Sequence, residues 1–188
     1  MKIILFVLSI AVMSCAYSPQ QLAINPVIGG ISENYGNSRA VSIVVEDRRE
    51  KKEVGTRGGV YENTSVISLA NNLDAAIATA ATAKLATEGF VVNSLEKDTA
   101  IVKIIIESLS YDIPKELVAK KVMLEALLTV EASYAGETYH GRYKTQETKQ
   151  TVITPTMKQN EQMINDLLST TLQRLFSDPK LKSFLRNI

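Results

Sequence analysis

The sequence predicts an α+β fold: a two-layer sandwich in which a mostly antiparallel sheet of four to five strands carries two long helices on one face. Three observations predict it. Apolar residues alternate along Val122, Leu124, Ala126, Leu128, Val130 and Ala132, the period of a half-buried strand. Leu69, Leu73, Ile77, Ala81 and Leu85 recur every fourth residue, the period of a helix that buries one stripe. Thr156 to Gln159 is a Thr-x-x-Gln capping box ahead of Ile164, Leu167, Leu168, Leu172 and Leu175, which starts a second amphipathic helix.

The chain opens on Met1-Lys2 and an apolar run from Ile3 to Val12, one positive charge followed by a short hydrophobic region of the kind that is removed on export. A spanning helix needs about 20 apolar residues, and Ser18-Pro19-Gln20-Gln21 closes this run well before that. Val12-Met13-Ser14-Cys15 resembles the lipobox of bacterial lipoproteins. That chemistry asks for a small residue before the scissile bond, here Ser14, and a thiol after it, here Cys15, the only cysteine of the chain. The expectation is a signal segment over residues 1–14 and a diacylglycerol plus an N-acyl chain on Cys15. Several acyl chains anchor stably where one would bind only marginally, at about 0.8 kcal/mol per buried methylene. Ala16 stands where an Asp would resemble the inner-membrane retention signal, so the expected location is the outer membrane, facing the periplasm.

Without residues 1–14, 20 basic residues balance 20 acidic ones. A neutral body has no electrostatic footprint for nucleic acid. With no second cysteine there is no internal disulfide, so stability has to come from a core, which a chain of this length can bury. Residues 15–37, with Pro19, Pro26, Gly29 and Gly30, read as a flexible tether that reaches up to roughly 70 Å when extended, with Leu22, Ile24 and Val27 able to dock as a short edge strand. Residues 38–188 read as one domain.

Within it, Val41 to Val45 is the first strand, and the charged run Glu46 to Lys52 leads out of it. Gly55 to Gly59 reads as a hairpin or mobile loop and Val60 to Ile67 as a short strand. Ser68 is placed as the N-cap of a helix to about Thr87, with Gly89 as its left-handed stop. Phe90 to Val92 and Thr99 to Tyr111 follow as strands, the latter apolar on both faces at Ile101 to Ile106 as a central strand requires. Lys121 to Tyr134 and Thr138 to Thr148 form a hairpin with Tyr139, Gly141, Tyr143 and Thr145 facing inward. A short last helix begins at Asp178-Pro179.

On the lipobox, the Ser18-Pro19 to Ile24-Asn25-Pro26-Val27 tether, the strand leading to Asp47-x-Arg49, the helix ending Glu88-Gly89-Phe90 and the end Asp178 to Leu185, the chain resembles the YajG family of uncharacterised Gram-negative lipoproteins. The resemblance implies location and fold, and names no activity.

The residues do not converge on a reaction. His140 is the single histidine, too few for a multi-histidine metal site or a serine-type triad. Carboxylate neighbours such as Glu46 with Asp47, or Glu125 and Glu131, read as solvated faces, and Gly55 to Gly59 lacks the Lys-Ser/Thr ending of a phosphate loop. The expectation is therefore no enzyme, no catalytic residues, no metal and no cofactor beyond the lipid on Cys15. Asp47, Arg49 and Arg57 are the partner- or ligand-binding candidates, with Asp47 and Arg49 also expected to brace their loop as a charge-assisted pair. The expected role is a structural or assembly subunit of an envelope complex with protein partners. The alternative is a peptidoglycan- or lipid-binding module that uses the Asp47 to Gly59 loops.

Overall fold

The computed structural model describes residues 18–58, 64–94, 98–114 and 120–188. Ser14, Cys15 and the signal segment lie outside them, as do residues 60–63 of the strand expected from Val60 to Ile67. In chain order the elements are β1 (Gln20–Leu22), β2 (Ala40–Asp47), β3 (Gly55–Thr56), β4 (Val66–Leu69), α1 (Leu73–Thr87), β5 (Val91–Val92), β6 (Ala100–Asp112), β7 (Lys120–Tyr134), β8 (Glu137–Thr151), α2 (Met157–Ser177) and α3 (Pro179–Arg186).

β6 is the central strand. Along one edge it pairs antiparallel with β7, from Ile101 opposite Ser133 to Asp112 opposite Met123, and β7 pairs antiparallel with β8 along its whole length. The other edge of β6 is shared. Its first half runs parallel to β2, from Ala100 beside Val41 to Ile106 beside Asp47; its far end meets β3 through the single pair of Tyr111 with Gly55. β5 extends the first arm parallel to β2, whereas β4, antiparallel to β3, and β1, parallel to β4, extend the second. The sheet therefore forks beyond β6.

This corrects the expected architecture. Among the described residues there are eight strands in a mixed, curled sheet and three helices, where a mostly antiparallel four-to-five-stranded sandwich with two long helices was expected. Parallel pairing arises because α1 lies between β2 and β6 in the chain, and a crossover that packs a helix on the sheet returns the next strand in the same direction. Ser68 is likewise not a cap: it sits in β4 beside Gln21, and α1 begins at Leu73, where Asn72 accepts from the Ala75 amide. Val66 to Leu69 is more valuable as the strand that joins β1 to β3, and Asn71-Asn72 supplies the better turn and cap.

Other elements follow their sequence pattern. Thr156 forms both halves of its capping box with Gln159, Gly89 has φ +87°, and Val122, Leu124, Ala126, Leu128, Val130 and Ala132 are buried. α1 lies on β2 and β5, α2 on β7, β8 and β1, and one core joins them. The Tyr143 hydroxyl donates to Asp178 Oδ2 at 2.8 Å, and the Tyr139 hydroxyl, 2.8 Å from that of Tyr143 and 3.1 Å from the same carboxylate oxygen, shares its one proton between them, which ties β8 to the N-cap of α3.

Much of the segment read as a tether is laid on the domain. Leu22, Ile24 and Tyr35 are buried, and the backbone amides of Ala23, Asn25 and Val27 donate to Glu161, Asn165 and Ser169 of α2. The spacing explains the fit: two residues of extended chain rise about 6.6 Å and four residues of helix about 6.0 Å, so alternate amides meet every fourth side chain.

Candidate functional site

The fork itself opens a cleft in the sheet. β2 leaves β6 at Asp47, the chain loops out through Arg48 to Val54, and β3 rejoins β6 at Gly55. Two backbone bonds fix the rims of this gap, Arg48 N–H to the Ile106 carbonyl at 3.0 Å and Tyr111 N–H to the Val54 carbonyl at 2.8 Å. Between them Glu107 to Ser110 floor an open cleft of about 840 Å³. The β6–β7 ladder shifts register between Ile106 and Ser108, and such a bulge bends and twists its strand.

The loop above the cleft is held by ions. Asp47 accepts from Arg49 Nε at 2.9 Å and Nη2 at 3.0 Å, from the Arg49 backbone amide at 3.1 Å and from Lys52 Nζ at 3.0 Å. Burial is the largest single influence on the Asp47 carboxyl and pushes its pKa up, but the Arg49 and Lys52 hydrogen bonds together outweigh it and hold the group at about 2. The Arg49 side chain is only 5% exposed, so it supports the loop more than it meets a ligand. Glu46 is held at about 2, first by its two-pronged bond to Arg48 and then by Lys103. Arg57 stands apart: its guanidinium donates to the Ser18 carbonyl at 3.1 Å, at the point where the chain joins the fold. Of the three residues singled out, the structure brings Asp47 and Arg49 together and places Arg57 elsewhere.

A depressed Asp47 pKa stabilises the fold above its unfolded value of about 3.9, and the contribution is lost as pH falls toward about 2. Asp47→Asn is thus expected to cost on the order of 2 kcal/mol at neutral pH. Urea titrations of the two proteins at successive pH values should show that gap closing between about pH 4 and 2. A gap independent of pH would mean the pair contributes nothing by its charge.

Sequence reasoning missed the second polar centre. Asn160, fully buried in α2, accepts from the Tyr111 hydroxyl at 2.8 Å and lies 2.7 Å from the Gln20 side-chain amide. The other end of that amide is 3.1 Å from Arg57 Nε and 3.2 Å from the Met157 backbone nitrogen. Burial pushes the Tyr111 phenol up to about 12, so it stays a hydrogen-bond donor. The signal was present: Asn160 falls four residues before Ile164, on the stripe that α2 buries. His140 is exposed, with Nδ1 3.9 Å from Glu131. Among the described residues no group of three or more His, Cys, Asp or Glu side chains is placed to hold a metal, and no helix is long and apolar enough to cross a membrane.

A family model described as "Uncharacterized lipoprotein" matches residues 26–186. No curated protein matches the sequence. Solved structures with a similar course include a minor lipoprotein from Acinetobacter baumannii, 11% identical over 80% of this chain and 93% of that one, with a TM-score of 0.47. Another is the rare lipoprotein B from Shewanella oneidensis, 9% identical over 78% of this chain and 97% of that one, with a TM-score of 0.45.

Proposed function

The chain belongs to the family of uncharacterised lipoproteins, and from that membership we propose a non-enzymatic assembly subunit, held by lipid on Cys15 at the periplasmic face of the outer membrane, whose fork cleft receives an extended segment of an envelope protein. The observation that carries this reading is the open stretch of β6 edge at the cleft floor. Between the last β2 pair at Ile106 and the single β3 pair at Tyr111, Glu107 to Ser110 have, among the described residues, no strand beside them on that edge. A strand edge is a template for another extended chain, which brings matching donors and acceptors.

The walls favour a polypeptide. Arg48 and Lys51 alternate with Glu50 and Glu53 around the opening, and mixed signs do not focus the field that would draw a polyanion. The charge-paired Asp47–Arg49 brace, with Arg49 buried, keeps the loop in place over the floor without being spent on the partner.

Photo-crosslinking in intact cells tests the proposal. A photoreactive side chain at exposed Lys51 is expected to trap a discrete protein adduct, whereas the same group at Glu137, on the β7–β8 hairpin, is not. Equal adducts at both positions, or none at Lys51, would remove the cleft from consideration. Adducts at Lys51 that sediment with sacculi and disappear on muramidase treatment would move the function to peptidoglycan binding.

A further inference from the structure

We propose that the turn between β8 and α2 is a membrane-contact rim, with Val152, Ile153 and Met157 seated in the lipid interface beside the acylated Cys15. This rests on the reading of Cys15 as the lipidated residue. Val152 is 97%, Ile153 70% and Met157 50% exposed. The three are neighbours in one short stretch at one end of the molecule, flanked by the exposed Lys149 and Lys158. Val152, Ile153 and Pro155 also line an open cavity of about 390 Å³ against the first turns of α2.

The course of the chain says what covers this rim. Gln20, the first residue of β1, has its amide 3.2 Å from the backbone nitrogen of Met157, and Arg57 holds the carbonyl of Ser18 at 3.1 Å. Cys15 is only five residues before Gln20, a span of at most about 17 Å. The residues after Gln20 are zipped along α2 and supply no slack. The acyl chains therefore enter the bilayer within a short reach of Met157, and the domain cannot stand off at the distance a free tether would allow.

Three apolar side chains alone would not hold a protein on a membrane. Tethered beside a stable anchor they need no affinity of their own, because the short link makes their encounter with the lipid effectively intramolecular. Branched aliphatic and thioether groups suit the acyl boundary, and the exposed Lys158 beside them suits anionic headgroups, while Lys149 is paired with Glu147. The contact sets orientation: β8 runs 15 residues from Thr151 at the rim to Glu137. That places the β7–β8 hairpin up to about 45 Å away along the strand.

The chain has no tryptophan, so single reporters can be introduced. Ile153→Trp and Glu137→Trp would each be made in the lipidated mature protein and reconstituted into phosphatidylethanolamine and phosphatidylglycerol vesicles, with or without bromine-labelled acyl chains. Both sites are exposed, and circular dichroism confirms folding. The expected result is that both proteins float with the vesicles, that Ile153→Trp shifts to the blue and loses most of its emission to the brominated lipid, and that Glu137→Trp keeps its emission. Flotation with no quenching at Ile153→Trp would overturn the rim and leave the anchor standing. Failure to float would remove the anchor and the rim together. A blue shift that grows with protein concentration in the absence of lipid would assign the rim to a second copy of the chain and overturn the lipid contact.

Discussion

Gly55→Ala is expected to unfold the protein or leave it destabilised by more than about 4 kcal/mol, a loss reserved for a few mechanisms. A methyl group built at Gly55 would lie 1.7 Å from the Tyr111 carbonyl oxygen and 2.8 Å from its carbon, both backbone atoms of the central strand. No side-chain rotation can relieve that contact, so β3 must move off β6. The displacement would break the one pair that, among the described residues, joins the second arm of the fork to β6, and the bonds around it, including Tyr111 N–H to Val54. Urea unfolding of the unlipidated mature chain, with near-ultraviolet circular dichroism as the probe, measures the effect. Gly29→Ala is the control: nothing lies within 4 Å of its built methyl. It should be neutral or gain a few tenths of a kcal/mol by restricting the unfolded chain. Near-native stability for Gly55→Ala would mean that the arms of the fork are not held at this close approach.

Glu88→Ala should cost about 3 to 5 kcal/mol, the usual consequence of leaving a buried charge without its partner. Glu88 is 2% exposed, pairs with Lys84, itself buried, one turn earlier, and accepts from the amides of Glu33 at 2.8 Å and Asn34 at 3.2 Å. Burial is the strongest influence on its carboxyl and favours the neutral acid. The Lys84 ammonium and the two amides outweigh it, so its pKa lies below the ordinary glutamate value. The group thus fastens the end of α1 to the segment leading into β2, and its contribution fades on acidification. Thermal unfolding should fall by about 10 °C, given 2 to 4 °C per kcal/mol for a domain of this size. Glu88→Gln keeps the acceptor and should cost less. Adding Lys84→Met to Glu88→Gln should recover part of that loss, because it removes the orphaned charge. Additive losses in the double variant would show that the pair is not coupled.

Both positions show where a single sequence stops being legible. Glu88 reads as a polar residue near a helix end, and only the return of residues 32–34 makes it a buried acceptor. Gly55 sits in a glycine-rich stretch that reads as a hairpin or loop, and its near contact is with Tyr111, on the strand it crosses. The candidate site was partly legible. The Asp47–Arg49 pair is two residues apart and forms locally, whereas Arg57 was grouped with it by proximity in sequence and instead binds Ser18. The Gln20–Tyr111–Asn160 centre was missed because its members come from three distant segments, though the place of Asn160 on the α2 stripe marked it as buried.

The local elements were set by sequence alone. The capping box at Thr156, the Gly89 stop, the alternation of β7 and its hairpin with β8 depend on residues within a turn or a strand of one another, so propensity and periodicity reach them. Which strands lie side by side was decided in three dimensions. β2 beside β6, β3 on the far end of that same edge, and β1 on β4 are pairings between remote segments, fixed by how helices and strands bury one shared core. The fork and its cleft exist only because two short arms compete for one edge of β6, and no periodicity in either arm records that competition.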